Sequence, residues 1–110
     1  MNRHILKTDT DVFDLSWNEE KLYEIRLDDR NFKVGDELLL VETFYTGEEM
    51  KAGKPLEYTG KLICVTVTHK LKGVYGLKDN WCILGCFHEY VDTAFDVKDS
   101  EDWLAGVFVS

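Results

Sequence analysis

The sequence predicts a single small α+β domain, mostly β-strand, with about five or six mostly antiparallel strands and one or two short helices. Three observations predict it. From Lys21 to Leu27 apolar and charged residues alternate with period two, the mark of a strand with two unlike faces. Between Lys61 and Leu71, residues Ile63, Val65, Thr66, Val67 and Thr68 are all β-branched, and such side chains fit a pleated sheet. One early segment breaks the pattern: Val12 and Leu15 are three apart and Phe13 and Trp17 four apart, which is helical spacing.

Taken in order, His4 to Lys7 reads as a first strand. Thr8-Asp9-Thr10-Asp11 supplies N-cap candidates and early acids, so the spacing predicts a helix over 9–18. The strand over 21–27 is expected to bury Tyr23, Ile25 and Leu27 and to expose Glu24 and Arg26, with Asp28 following in phase. Asp28 to Asn31 is a turn, and Glu37 to Phe44 an apolar strand. Residues 45–60 hold three Gly and the only Pro and read as a loop or hairpin tip. Tyr-Thr-Gly occurs in it twice, at 45–47 and 58–60, a period too short for a solenoid, so it is coincidence or a pair of similar turns. Lys61 to Leu71 is the strongest strand, residues 73–80 are a loop, and Trp81 to Phe87 is a buried strand with both end residues in the core. Trp103 to Val109 is a final strand or a packed tail. No linker divides the chain, so residues 1–110 are expected to form one domain: an antiparallel, barrel-like sheet with a helix over one end.

Composition narrows the function. With 45% hydrophobic and 13% aromatic residues the chain is not a disordered one. No apolar run approaches the ~20 residues of a membrane helix, and the N-terminus has no signal-peptide core, so a cytoplasmic protein without membrane contact is expected. Cys64, Cys82 and Cys86, odd in number and set in apolar runs, read as reduced and buried. The net charge is −8, and the strip Glu89 to Asp102 holds six acids against one base. That balance argues against non-specific binding to long nucleic acid. It leaves room for a local nucleotide pocket, or for an acidic surface that imitates nucleic acid towards a basic protein. The plainest reading of the strip is a solvated face.

Most catalytic signatures are missing. Cys82, Cys86 and His88 share a strand face, but residues four apart on a strand lie about 13 Å from each other at a ~3.3 Å rise. That is too far for one zinc, so no metal site and no cofactor are predicted. No serine sits in a Gly-x-Ser-x-Gly turn, and there is no phosphate-binding Gly-rich loop. What stands out is a cluster of six charged residues in ten positions: Lys21, Glu24, Arg26, Asp28, Asp29 and Arg30. An arginine fork can grip a carboxylate or phosphate, and a lysine beside a carboxylate can serve as an acid/base pair. The alternative is an exposed ion-pair network of little energetic worth.

The same stretch carries a family resemblance. Lys21, Glu24 and Arg26, followed by Asp29-Arg30, Phe32 and Val34-Gly35-Asp36, resemble the ASCH superfamily of PUA-like domains, and in particular a small branch from bacteria and their phages. His4, Leu6-Lys7, Phe13, Tyr58-Thr59-Gly60 and the segment Trp81 to Gly85 match further motifs of that branch in the right order, so the resemblance covers about residues 4–87. The chain departs from the pattern at Glu19, where a Gly is usual, and at 45–57, which look inserted. Residues 88–110 have no counterpart and form an acidic C-terminal extension.

The resemblance implies a small PUA-like β-barrel with a cleft near the first helix and second strand. It implies RNA or a nucleoside or nucleotide as partner, with Lys21, Glu24, Arg26, Asp29 and Arg30 lining the cleft. Arg26 and Arg30 would hold phosphate or base acceptors, and Glu24 would accept from an exocyclic amine. One related enzyme type removes the acyl group from an acylated cytidine with the motif lysine as a catalytic residue. Lys21 falls at that position, and Glu24 falls where that enzyme has a hydroxyl residue. Three readings follow: an RNA- or nucleotide-binding module; a small amidohydrolase in which Lys21 and Glu24 are catalytic; and a phage-type inhibitor that binds a basic host protein through the acidic strip.

Overall fold

The computed structural model describes residues 2–73 and 76–94, and the backbone of 107–109. Its elements are β1 (Arg3–Asp9), α1 (Thr10–Trp17), β2 (Tyr23–Leu27), β3 (Glu37–Thr43), α2 (Gly47–Lys51), β4 (Tyr58–Lys72), β5 (Trp81–Asp92) and β6 (Val107–Val109). They form one mostly antiparallel sheet in the order β2-β5-β4-β3-β1-β6. The exceptions to a purely antiparallel sheet are at β1, which runs parallel to both β3 and β6. Among the described residues no helix is long and apolar enough to cross a membrane.

Register explains the core. His4, Leu38 and Val65 lie opposite one another across β1, β3 and β4, and so do Leu6, Leu40 and Ile63. These rows face the inside with Phe13, Phe32, Cys82 and Leu84. The intervening row, Ile5, Leu39 and Cys64, points to the other face and is buried as well. That is why Leu38 to Val41 shows no alternation: β3 is central and covered on both sides. Phe13 and Trp17, their ring centroids 5.8 Å apart, bring α1 onto the inner cluster.

Two polar ties pin the turn between β2 and β3. The buried His4 Nε2 is 3.0 Å from Asp36 Oδ2, which also accepts from the Lys33 backbone N–H at 3.0 Å. Burial raises the Asp36 carboxyl, but the N–H of Asn2, His4 and the N–H of Lys33 outweigh it and hold the carboxyl below its usual range. Asp28 accepts from Lys70 Nζ at 2.7 Å, Lys72 Nζ at 2.9 Å and the Phe32 N–H at 3.0 Å, which binds the end of β2 to β4.

Several expectations need correction. Residues 45–60 contain a helix, α2, begun by a reciprocal capping box between Thr46 and Glu49. The first Tyr-Thr-Gly therefore starts a helix and the second starts β4, so the two are not similar turns. Phe87 is 60% exposed rather than core, and Trp81 is half-buried. β5 continues to Asp92, so Glu89 and Asp92 of the acidic strip are strand residues, and Glu89 accepts from Thr66 Oγ1 at 2.8 Å. The strip's Asp96, Asp99, Glu101 and Asp102 lie outside the described residues.

Candidate functional site

The largest correction falls on β2. Tyr23 and Ile25, expected inside, are 46% and 48% exposed, whereas Glu24, expected outside, is 3% exposed. Pairing with β5 decides the phase. Glu24 lies opposite Leu84 and Arg26 opposite Cys82, and both partners face the core; Ile25 lies opposite Ile83, which does not. The charged face of β2 is therefore the inner one.

The side chains of that face close the sheet. β2 is one edge, and beyond Ile5 the outer side of β1 has no strand partner among the described residues. The sheet curls until these margins face each other, and arginines bridge them. Arg26 donates from one terminal nitrogen to the Lys7 carbonyl and from the other to Thr8 Oγ1, both at 3.2 Å. Arg30 donates to the Ile5 carbonyl at 3.3 Å. Burial lowers the Arg30 guanidinium below its ordinary value, while the nearby Asp29 carboxylate raises it.

Glu24 sits at the centre of this seam. Its Oε1 accepts from Arg26 Nε at 3.1 Å and from an Arg26 terminal nitrogen at 2.9 Å, and its Oε2 is in direct contact with Lys21 Nζ. Lys21 also lies 5.3 Å from the Tyr23 ring centroid. The trio lines a cleft of about 490 Å³ bounded by β1, α1 and β2, with Val12, Leu15 and Ile25 as apolar wall. A carboxylate taken out of water costs several kcal/mol unless paired, and here two cations pair it. The exposed-network alternative thus does not describe Glu24.

The predicted residues divide. Lys21, Glu24 and Arg26 meet in the cleft; Asp29 and Arg30 line a neighbouring cavity of about 250 Å³. Arg26 differs from its expected role: its donors go to Glu24, Thr8 and Lys7, so it positions Glu24 and clasps the seam. Sequence reasoning missed Thr8, which β1 brings to the seam, and Val12 and Leu15, whose part in the cleft comes from α1 standing over the seam. Glu19, where the chain departs from the pattern of the resemblance, lies just after α1 in the turn to β2. Glu19 adopts φ 58°, the left-handed conformation a Gly supplies at that place.

Burial, with the Glu24 charge beside it, pushes the Cys86 thiol up to about 12. Among the described residues no group of three or more His, Cys, Asp or Glu is placed to hold a metal ion.

Fold and site together define a small α+β domain with a charged cleft at the seam of a curled sheet. Residues 3–86 match the family model described as a domain of unknown function, DUF3850, and the chain belongs to that family. No curated protein matches it.

Proposed function

We propose that this domain is a PUA-like module of ASCH type that binds a nucleotide, or one nucleotide unit of RNA, in the cleft between α1, β1 and β2. The observation that carries this reading is the buried Glu24, fixed by Arg26 and touching Lys21, in the wall of an open cleft. A buried carboxylate held by two half-buried cations adds little net stability compared with apolar packing, and its placement in a cleft is the pattern of a binding site. Lys21 has two N–H groups beyond the one given to Glu24, and Glu24 Oε2 keeps an acceptor position. The pair thus presents a donor beside an acceptor, which complements a base edge with an exocyclic amine next to a ring acceptor, as in cytosine and adenine. Val12, Leu15 and Ile25 offer apolar surface to the base.

The test is calorimetric titration of the four 5′-mononucleotides into wild type and Lys21→Met. Saturable binding of a nucleotide by wild type, lost by a folded variant, is expected. Equal affinity in both proteins removes the assignment.

The direct contact of Lys21 with Glu24 favours a second reading, amide hydrolysis of an acylated nucleoside. In it Lys21 and Glu24 would activate water on the amide carbonyl and pass the proton to the leaving nitrogen. Mass spectrometry of a nucleoside pool containing acylated cytidines checks it. Turnover by wild type but not Lys21→Met supports hydrolysis, and an unchanged pool discards it.

A further inference from the structure

Turning the charges of β2 inward leaves its apolar side chains on the outer face of the sheet, and β5 and β4 extend them. The ladders set Leu27 beside Trp81 and place Ile25, Ile83 and Leu71 in the next row. Tyr23, Gly85 and His69 form the row after that, and Phe87 follows on β5. The His69 ring occupies the place that a Gly85 side chain would take, so the surface continues without a gap from Ile83 to Phe87. Tyr23, Ile25, Leu27, Leu71 and Phe87 are between 43% and 60% exposed. At about 200 Å² for the full surface of a large residue, they leave roughly 500 Å² bare, at the upper end of what a monomer exposes in one patch. Two such faces together bury roughly 1,000 Å², the least that a specific interface carries.

The charges at the ends of this face choose its occupant. At one end Lys78, and not its neighbour Asp79, lines a cavity with Ile25 and Trp81. At the other end Glu89, which accepts from Thr66 Oγ1, stands beyond Phe87 on β5. A face of one sign calls for a partner of the opposite sign. A face with opposite signs at its two ends complements its own copy turned end for end. We propose that this face joins two copies of the chain into a symmetric dimer. The two-fold axis lies in the interface, across the strands, so that β5 packs antiparallel on the partner's β5, with the sheets about 10 Å apart. Trp81 of each copy then meets Phe87 of the other, the row of Ile83 meets the row of Gly85, and Lys78 meets Glu89.

The experiment is sedimentation velocity of the full chain from about 1 to about 500 µM, the span in which a small interface dissociates. It is run at about 0.15 M salt, where a Debye length of about 8 Å screens the repulsion between two chains of net charge −8. Wild type is expected to pass from the 12.8 kDa monomer to a dimer and to stop there. Each variant is first shown to be folded by circular dichroism. Leu71→Lys, outside the cleft and already half-exposed in one copy, sets a charge in the middle of the apolar face and should raise the dissociation constant at least about tenfold. Lys78→Glu and Glu89→Lys should each raise it by about threefold or more, because the symmetry repeats the contact twice. The double variant, Lys78→Glu with Glu89→Lys, should recover the affinity of wild type. A wild type that is monomeric throughout overturns the proposal and leaves the face to a different partner. So does a dimer that Leu71→Lys does not weaken, because the contact then lies elsewhere. Association that continues beyond the dimer, or a double variant as weak as the single ones, overturns the two-fold arrangement.

Discussion

Replacing Asp28 by Asn tests the electrostatic tie between β2 and β4. The Asp28 side chain is 3% exposed. Burial by itself would raise its carboxyl, but hydrogen bonds from Lys70, Lys72 and the Phe32 N–H, with the Lys70 charge, lower it from 3.8 to about 2. At about 1.4 kcal/mol per pH unit, the charged form contributes about 2 kcal/mol to folding at pH 7. The folded-state value is depressed, so this stability is present above about pH 4 and is lost as pH falls through about 2. Asp28→Asn keeps the side-chain shape and an acceptor for the Phe32 N–H but removes the charge. It should be less stable than wild type by about 2 kcal/mol at pH 7, with the gap reduced to about half near pH 3. Urea unfolding followed by tryptophan fluorescence, at several pH values and with equal slopes, measures it. A gap that is constant from pH 7 to pH 3, or below about 0.5 kcal/mol at pH 7, refutes the reasoning and makes the two lysine contacts solvent-screened surface pairs.

Two other predictions concern the backbone and the thiols. Glu19→Gly relieves a left-handed side-chain residue, so it should raise stability by up to about 1 kcal/mol, the relief being partly offset by unfolded-chain entropy; thermal unfolding that shows a loss would mean the Glu19 side chain stabilises the turn. Cys64 and Cys86 are both pushed by burial to about 12, so native protein should react with iodoacetamide at pH 7 far more slowly than unfolded protein. Labelling of either at the rate of a free cysteine, located by peptide mass spectrometry, contradicts those placements.

The existence and type of most elements were legible along the chain. β1, α1, β3, β4 and β5 lie where periodicity and β-branching put them, because those signals are local. The helix α2 was missed although Thr46 and Glu49 carry a capping-box pattern; its short length and its neighbouring glycines read as loop. The candidate cluster was legible as well, since Lys21, Glu24 and Arg26 crowd one segment.

Which side of β2 faces inward was not legible. Period two shows that Tyr23, Ile25 and Leu27 share one face and that Glu24 and Arg26 share the other; it has no sign that says which is inside. Hydrophobicity favoured the apolar set. The choice was made across the ladder, where Glu24 meets Leu84 and Arg26 meets Cys82, and across the seam, where β1 offers the Lys7 carbonyl and the Thr8 hydroxyl to Arg26. Those partners are 18 or more residues away. The sequence by itself therefore determined a charged, two-faced strand after a short helix. The tertiary structure alone turned its charges inward, because a buried carboxylate is stable only where folding brings its cations and their acceptors together.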